Sequence, residues 1–240
     1  LIPRITGTRT ISQARDDNFA IDLDKAVDRL RLERPDIVIA CSPNNPTGNL
    51  EALGTIEALL GEAPGLVVVD EAYIEFGATG RSATSLLRNT PGLIVTRTFS
   101  KAWRLAGVRL GYMLADPGLV AELAKVRLPY NLSSISQAFG IAALRHRDRM
   151  LEAVGALADE RDRIAVELQA MGVMSHPSQA NFVLFEVGDP DAVWEGLLER
   201  DVLVRSYAGM PGLERCLRVT AGLPEETDAF LGAMREVLGD

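Results

Sequence analysis

Short runs of consecutive apolar residues alternate along the first half of the chain with stretches in which apolar residues recur every three or four positions. The runs at 37–41, 66–69 and 93–98 are typical of strands buried on both faces of a sheet. The stretches at 22–30 and 50–60 have the spacing of amphipathic helices. Strands that alternate with helices in this way predict a mostly parallel sheet with helices on both faces.

The second half of the chain continues this alternation and then changes its order. The pattern predicts, in order, a short helix near 84–88, a strand at 109–115, helices at 119–126, 133–144 and 148–171, a strand at 181–187, a helix at 191–200, strands at 202–205 and 216–220, and a helix at 225–238. We therefore predict an α/β fold, with a three-layer α/β/α large domain over residues 1–145 and a smaller α+β C-terminal domain over residues 146–240. The boundary is expected within helical sequence and not at a linker.

Composition narrows the class of protein. The chain has 240 residues, of which 47% are hydrophobic, and this is ample for a buried core. The net charge of −8 argues against nucleic acid and anionic membranes as partners, and no apolar run is long enough to span a bilayer. The cysteines, Cys41 and Cys216, lie far apart without the spacing of a metal site, which predicts no metal and a reducing, cytoplasmic setting. We interpret His146 and His176 as ordinary surface or core residues.

Polar side chains follow three of the predicted strands at the points where the strands end. Asn45 lies in a Pro- and Asn-rich turn after the first strand, Asp70 and Tyr73 follow the second, and Lys101 and Arg109 follow the third. Open α/β sheets bind ligands at the carboxyl ends of their strands. A lysine amine in a partly desolvated site becomes a nucleophile, and Schiff-base formation is its commonest covalent chemistry.

The sequences around these strand ends resemble those of one enzyme family. Six segments carry the resemblance, in the family's order: Ser42–Gly48, Val69–Phe76, Arg97–Tyr112, Val126–Ser133, Ala180–Phe185 and Leu217–Gly222. The chain resembles the fold-type-I pyridoxal-phosphate aminotransferases, and within them the histidinol-phosphate aminotransferase group. The resemblance runs along the whole sequence.

The resemblance implies roles for four residues around the cofactor ring. Lys101 would form the Schiff base with pyridoxal phosphate and later move the proton between substrate and cofactor. Asp70 would keep the ring nitrogen protonated, although an ordinary turn cap is the alternative. Tyr73 and Asn45 would bind the ring oxygen. Read without its neighbours, Asn45 is an ordinary turn residue.

The resemblance also implies a phosphate site. Arg109 would hold the cofactor phosphate, with an ion pair at the strand edge as the alternative interpretation. Thr98 or Ser100 would add a hydroxyl to the same phosphate, and the sequence does not separate the two.

The same resemblance implies a substrate site in the second domain. Arg218 would bind the substrate carboxylate in a bidentate manner. Arg205 would bind the phosphate of histidinol phosphate, or else is an exposed arginine at a strand end. Tyr130 and Asn181 would line the substrate pocket.

The implied reaction is transfer of an amino group from histidinol phosphate to 2-oxoglutarate by a homodimeric enzyme of histidine biosynthesis. An aromatic amino-acid aminotransferase, a phosphothreonine-type decarboxylase and a catalytically impaired cofactor-binding fragment are the alternatives. The family's first third, with part of the phosphate site, has no counterpart in this sequence. We therefore expect a fragment, or a protein that has lost its N-terminal part, with weak cofactor retention.

Overall fold

The computed structural model describes residues 5–239, and a four-stranded sheet organises the first half of this range. Its strands are β1 (Ile37–Cys41), β2 (Leu66–Asp70), β3 (Leu93–Thr98) and β4 (Gly111–Ala115), in the order β1-β2-β3-β4. The first three are parallel and β4 is antiparallel to β3. The mostly parallel sheet predicted from the apolar runs is therefore confirmed, with an antiparallel strand at one edge.

Two helices accompany the parallel strands. Helix α1 (Leu23–Glu33) precedes β1, and helix α2 (Leu53–Glu62) connects β1 to β2. The side chain of Asp22 caps α1 by accepting a hydrogen bond from the backbone N–H of Lys25. The helices pack on the central strands, where Val67 and Leu93 are fully buried. Burial of each such side chain stabilises the fold by about 1.5–3 kcal/mol. The short helix predicted near 84–88 is a 3₁₀ helix, Ala83–Asn89.

Three further helices lead from the first sheet to the second: α3 (Pro117–Lys125), α4 (Ser134–Arg145) and α5 (Arg147–Ala170). His146 ends α4 and precedes α5, so the predicted boundary at 145/146 falls where two helices meet. The division into domains at that point stays a prediction. Among residues 5–239, no helix combines the length and apolar character that crossing a bilayer requires.

The second sheet contains β5 (Phe182–Glu186), β6 (Arg205–Ser206) and β7 (Cys216–Thr220), all antiparallel, with β7 in the centre. Helices α6 (Pro190–Leu198) and α7 (Pro224–Leu238) pack on it together with α5. The predicted strand at 202–205 is wrong, because only Arg205 and Ser206 pair with β7. The carbonyl of Val204 instead accepts a hydrogen bond from the indole Nε1 of Trp194, at 3.0 Å.

The two halves of the chain meet at buried polar contacts. Arg161 of α5 is 7% exposed, and its Nη1 donates to the carbonyl oxygens of Phe76, at 3.4 Å, and Ala180, at 3.2 Å. Nearby, the backbone N–H of Gln179 donates to the carbonyl of Gly48 at 2.7 Å. These contacts bring the turn after β1, the segment after β2 and the start of β5 to one place.

Candidate active site

The carboxyl ends of β1, β2 and β3 lie side by side, and Asp70 is in the middle. In the strand register Cys41 pairs with Asp70, and Asp70 pairs with Thr96. The Asp70 carboxylate accepts hydrogen bonds from the backbone N–H of Ala72, at 3.1 Å, and from the hydroxyl of Thr96, at 3.4 Å. These two bonds fix the carboxylate at the sheet edge where the sequence predicted a ligand site.

Tyr73 brings Lys101 and the second sheet together. Its ring is buried, and the Nζ of Lys101 lies 5.2 Å from the ring centroid. On its other side the ring meets Phe182 edge-on, with centroids 5.2 Å apart and an interplanar angle of 87°. Within residues 5–239 the Tyr73 hydroxyl has no hydrogen-bond partner, so it is available to a ligand.

Lys101 differs from the other two lysines of the chain, Lys25 and Lys125. Lys25 forms an ion pair with Asp22 at 2.6 Å, and Lys125 forms one with Glu122 at 2.6 Å. Lys101 has no carboxylate partner in the part of the chain that the structure describes. Lys101 is an exposed residue, and its Nζ lies beside the Tyr73 ring.

The turn after β1 presents Asn45 to the second sheet. The turn contains two cis peptide bonds, Ser42–Pro43 and Asn45–Pro46. The buried amide of Asn44 donates to the hydroxyl of Thr47 at 2.7 Å, which braces the turn from inside. Asn45 itself is exposed, and its side-chain carbonyl accepts a hydrogen bond from Nη1 of Arg218.

Arg218 of β7 lies between aromatic rings. Its guanidinium carbon is 4.7 Å from the centroid of Phe182 and 5.9 Å from that of Tyr207. Its Nε is buried and has no hydrogen-bond partner among the described residues. A buried N–H without an acceptor is costly, and an anionic oxygen is the kind of group that can accept a hydrogen bond from this guanidinium.

Arg205 stands opposite Arg218 in the pairing of β6 with β7. Arg205 is exposed, and both arginines line an open cavity together with Trp194, Leu203 and Thr220. Two guanidinium groups on adjacent strands repel each other unless an anion lies between or beside them. The structure therefore brings Arg205 beside Arg218 at the same cavity.

The predicted phosphate residues meet at the turn between β3 and β4. The hydroxyl of Thr98 accepts from the backbone N–H of Ser100 at 3.0 Å and lies 3.4 Å from the carbonyl of Leu110. Arg109 has left-handed backbone geometry, with φ of 57°, and its Nη1 donates to the carbonyl of Ala106 at 3.0 Å. In the described range Arg109 forms no ion pair, so the structure does not support that alternative.

Tyr130 and Asn181, which the sequence also placed at the substrate pocket, make no side-chain hydrogen bond with the other site residues within residues 5–239. Tyr130 is 99% exposed and contacts none of the other site residues in that range, so the structure does not bring it to them. Asn181 is half-buried, and its backbone carbonyl accepts from the N–H of Ala221 at 2.9 Å. Asn181 precedes Phe182 directly, which places it at the start of β5 beside the site.

Sequence reasoning gave no role to Phe182 or Tyr207. Phe182 lies on the same face of the second sheet as Arg218, because Leu184 pairs with Arg218 and alternate residues of a strand share a face. The sequence of β5, Phe-Val-Leu-Phe-Glu, is apolar over its first four residues, so no alternation singled out Phe182. Tyr207 lies beyond the two-residue strand β6, and no periodicity pointed to it.

A family comparison accounts for this arrangement. The model of the aminotransferase class I and II family matches residues 4–233, almost the whole chain. The chain belongs to the class I and II aminotransferases. The resemblance carried by the six sequence segments is thereby confirmed.

Curated aminotransferases are similar to this chain over its whole length. The histidinol-phosphate aminotransferase of Corynebacterium efficiens is 43% identical over 240 residues, covering 100% of this chain and 63% of the relative. That of Streptomyces avermitilis is 49% identical over 242 residues, covering 99% of this chain and 64% of the relative. The chain thus spans less than two thirds of the length of these relatives.

Solved aminotransferase structures share the fold. The histidinol-phosphate aminotransferase of Sinorhizobium meliloti, solved in complex with pyridoxal-5'-phosphate, superimposes with a TM-score of 0.89 at 30% identity and covers 97% of this chain and 65% of that one. The Clostridium acetobutylicum enzyme gives a TM-score of 0.91 at 24% identity, over 99% of this chain and 73% of that one, which supports the fold alone. The α/β class predicted from the sequence is confirmed.

Proposed function

We propose that this protein is a pyridoxal-phosphate-dependent aminotransferase that transfers the amino group of histidinol phosphate to 2-oxoglutarate, giving imidazole-acetol phosphate and glutamate. The observation that carries the proposal is the position of Lys101: its amine lies 5.2 Å from the centroid of the Tyr73 ring and has no carboxylate partner within residues 5–239. Membership of the aminotransferase family and relatives at 43% and 49% identity support the substrate assignment.

The donor set fits pyridoxal phosphate. Lys101 offers the amine that reacts with its aldehyde, and Asp70 offers a carboxylate fixed by two hydrogen bonds for the ring nitrogen. The unpartnered hydroxyl of Tyr73 and the amide of Asn45 suit the ring oxygen. Arg109 and the hydroxyls at Thr98 and Ser100 form a cationic, hydroxyl-rich turn for the phosphate.

When bound, pyridoxal phosphate supplies an aldehyde carbon and an electron-withdrawing ring that stabilises negative charge at the substrate Cα. The residues of the chain hold and move the protons. Lys101 Nζ takes the proton from Cα of the amino donor and returns one when the keto acid is aminated. Asp70, as a carboxylate, keeps a proton on the ring nitrogen. The buried ring of Tyr73 covers one side of the amine.

Arg218 and Arg205 would allow one site to bind two different anionic substrates. The buried Nε of Arg218 lacks an acceptor, and a carboxylate of 2-oxoglutarate or the phosphate of histidinol phosphate would supply one. Arg205, opposite it across β6 and β7, adds a second guanidinium for the doubly charged phosphate. Binding the anion at Arg218 orients the reacting Cα bond.

The proposal extends to the assembly and setting of the protein. We propose a homodimer in which each subunit completes the site of the other, with small-molecule substrates only and a cytoplasmic location. Both cysteines are free thiols, Cys216 buried and Cys41 half-buried, which supports a reducing compartment. Sedimentation at several protein concentrations tests the dimer, because a single monomeric species at all of them contradicts it.

Borohydride trapping tests the cofactor assignment. The purified protein is incubated with pyridoxal phosphate and reduced, and the three lysine-containing peptides are compared by mass spectrometry. We expect the label at Lys101 alone. Lys25 and Lys125 are internal controls because their amines are paired with Asp22 and Glu122 and lie outside the proposed site. Equal labelling of all three lysines contradicts the assignment, because it indicates nonspecific reaction. In Lys101→Arg we expect the specific label to be lost, and labelling that stays unchanged at Lys25 and Lys125 also indicates nonspecific reaction.

Substrate comparison tests the reaction. Histidinol phosphate, phenylalanine and phosphothreonine are supplied separately with 2-oxoglutarate, and glutamate and carbon dioxide are measured. We expect glutamate from histidinol phosphate with the highest kcat/KM. Preference for phenylalanine indicates the aromatic aminotransferase, carbon dioxide from phosphothreonine indicates the decarboxylase, and labelling of Lys101 without turnover indicates an impaired cofactor-binding chain.

A further inference from the structure

Three side chains from adjacent strands meet at the far end of the second sheet. Ser175 pairs with Phe185 beside β5, and Glu186 of β5 pairs with Cys216 of β7. The backbone N–H of His176 donates to the carbonyl of Leu184 at 2.9 Å. Because side chains on alternate positions share a face, His176, Glu186 and Cys216 project from the same face of the sheet.

These three side chains offer a nitrogen, an oxygen and a sulfur ligand at one point. The Nε2 of His176 lies 3.1 Å from Oε1 of Glu186, and the three ligand atoms all lie within 4.8 Å of one another. Cys216 is 2% exposed, whereas the side chains of His176 and Glu186 are 13% and 28% exposed. The ring of Phe19 packs edge-on against His176, with centroids 4.9 Å apart, and fixes the imidazole from the outer side.

We propose that His176, Glu186 and Cys216 form a binding site for a divalent transition metal of the Zn²⁺ class. Imidazole, carboxylate and thiolate are the ligands that Zn²⁺ prefers, and in a tetrahedral site their ligand atoms are about 3.5 Å apart. Side-chain rotations that move the ligand atoms by roughly 1 Å would bring His176, Glu186 and Cys216 to that geometry. On binding, the thiol proton of Cys216 leaves to solvent and a metal–sulfur bond forms, without any change of oxidation state.

The fourth position of the tetrahedron opens toward solvent on the side of Glu186, where a water molecule completes the coordination. The alternative role of these residues is an ion pair between His176 and Glu186 beside a core cysteine. That alternative makes no use of the thiol, whereas the strand pairing places Cys216 directly opposite Glu186. A metal would tie the 174–176 segment, β5 and β7 together.

No sequence pattern indicates this site, and the cysteine spacing predicted no metal. The three ligands are separated along the chain by 10 and 30 residues, which matches no short metal-binding motif. Only the antiparallel pairing of the second sheet brings them together. The proposed metal site adjoins the proposed substrate site, because Leu184 and Arg218 form the next pair on the same face of the sheet as Glu186 and Cys216.

Cobalt substitution tests the site. The protein is freed of metal with a chelator and titrated with Co²⁺, and the visible d–d absorption is followed at wavelengths longer than those of pyridoxal phosphate. We expect one equivalent of Co²⁺ per chain with the intense spectrum of a tetrahedral site, reversed by Zn²⁺. Cys216→Ala and His176→Gln are expected to weaken binding by about tenfold or more.

Two matched variants serve as controls. Cys41→Ala removes the other thiol, and Glu214→Gln removes a neighbouring exposed carboxylate, so both are expected to bind Co²⁺ as the unsubstituted protein does. The weak spectrum of octahedral Co²⁺, unchanged binding in Cys216→Ala, or loss of binding in Cys41→Ala overturns the proposal.

A measurement on the unsubstituted protein covers the case in which a Cys216 variant does not fold. X-ray absorption at the zinc edge of the zinc-loaded protein is expected to show one sulfur at about 2.3 Å and nitrogen or oxygen ligands at about 2.0–2.2 Å. A zinc shell without sulfur overturns the site. Circular dichroism of each variant separates loss of fold from loss of ligand.

Discussion

Arg218 of β7 donates a hydrogen bond to the side-chain carbonyl of Asn45, which lies 173 residues earlier in the chain. This contact joins the turn after β1 to the central strand of the second sheet. The two sheets therefore share one site, and a change in either residue affects both the proposed cofactor contact and the proposed anion contact.

Arg218→Met is expected to lower kcat/KM for histidinol phosphate by about 100-fold or more, because loss of a buried charged hydrogen-bonding partner costs about 2–5 kcal/mol. Steady-state kinetics with both substrates measures the loss. Arg235→Met is the control, since Arg235 is an exposed arginine paired with Glu167 on the helix surface. Equal losses in the two variants contradict a specific role for Arg218.

Arg161→Met is expected to lower the free energy of unfolding by about 2–3 kcal/mol, because the buried carbonyls of Phe76 and Ala180 lose a charged donor. Denaturant unfolding measures the change. Arg163→Met, on the same helix, removes only half-exposed ion pairs to Glu160 and Asp228 and is expected to cost no more than about 1 kcal/mol. A larger loss in Arg163→Met than in Arg161→Met contradicts this account of the junction.

Gly48→Ala is expected to destabilise the protein by about 1–3 kcal/mol through backbone strain, with a steric contribution in addition. Gly48 has φ of +79°, and an added Cβ would overlap Oγ of Ser178 and lie 2.7 Å from its Cβ. Gly61→Ala in α2 is the matched control. No atom lies within 4 Å of its added Cβ, and we expect it to stabilise the helix by about 0.5–1 kcal/mol.

The double variant Gly48→Ala/Ser178→Gly separates the two causes of the Gly48 effect. Removing the Ser178 side chain relieves most of the contact but leaves the left-handed backbone at position 48. Partial recovery of the melting temperature is therefore expected. The double variant is compared with Ser178→Gly alone, because Oγ of Ser178 accepts a hydrogen bond from the backbone N–H of Ala180 at 3.1 Å. Against that reference, full recovery indicates that the steric contact alone is responsible, and none indicates that backbone strain alone is.

Burial raises the pKa of Glu75, and the nearby Glu71 raises it further, while its own backbone N–H and Arg97 lower it. The folded chain therefore binds the proton more tightly than the unfolded chain does. Stability falls as the pH rises from below the ordinary value of 4.5 through the raised pKa of the folded state. Glu75→Gln is expected to raise the free energy of unfolding at neutral pH and to leave it nearly unchanged below that range.

Glu62→Gln provides a control of opposite sign for the Glu75 prediction. The hydrogen bond from Arg31 lowers the pKa of the exposed Glu62 carboxyl, so its small stabilising effect is present at neutral pH and is lost as the pH falls. Denaturant unfolding across the acidic range compares the two variants. The same pH slope in both contradicts the assignment of the Glu75 effect to burial.

The apolar runs of the sequence were enough to predict most of the regular structure. Strands β1, β2, β3 and β7 begin and end within a residue or two of their predicted positions, because apolar and β-branched residues favour a sheet. The prediction that β1 is buried on both faces was wrong, since Ile37 and Ile39 are 55% and 73% exposed at the edge of the sheet. The strand at 202–205 was predicted wrongly, since the hydrogen bond from Trp194 to Val204 is a tertiary contact that no local pattern records.

The candidate site could be predicted only as far as the motifs reach. Lys101, Asp70 and Tyr73 follow adjacent strands and were expected to meet. The position of Phe182 between Tyr73 and Arg218 depends on how the second sheet packs against the first, and that packing is not written in any single segment. The family roles of these residues stay predictions until ligand binding is measured.

The site has a further property that follows from its four cations, Lys101, Arg109, Arg205 and Arg218. None of them forms an ion pair within residues 5–239, although the chain as a whole carries a net charge of −8. These cations make the site less negative than the protein as a whole. We therefore expect an anionic substrate to be steered toward the site, and its association rate to fall as added salt screens this attraction.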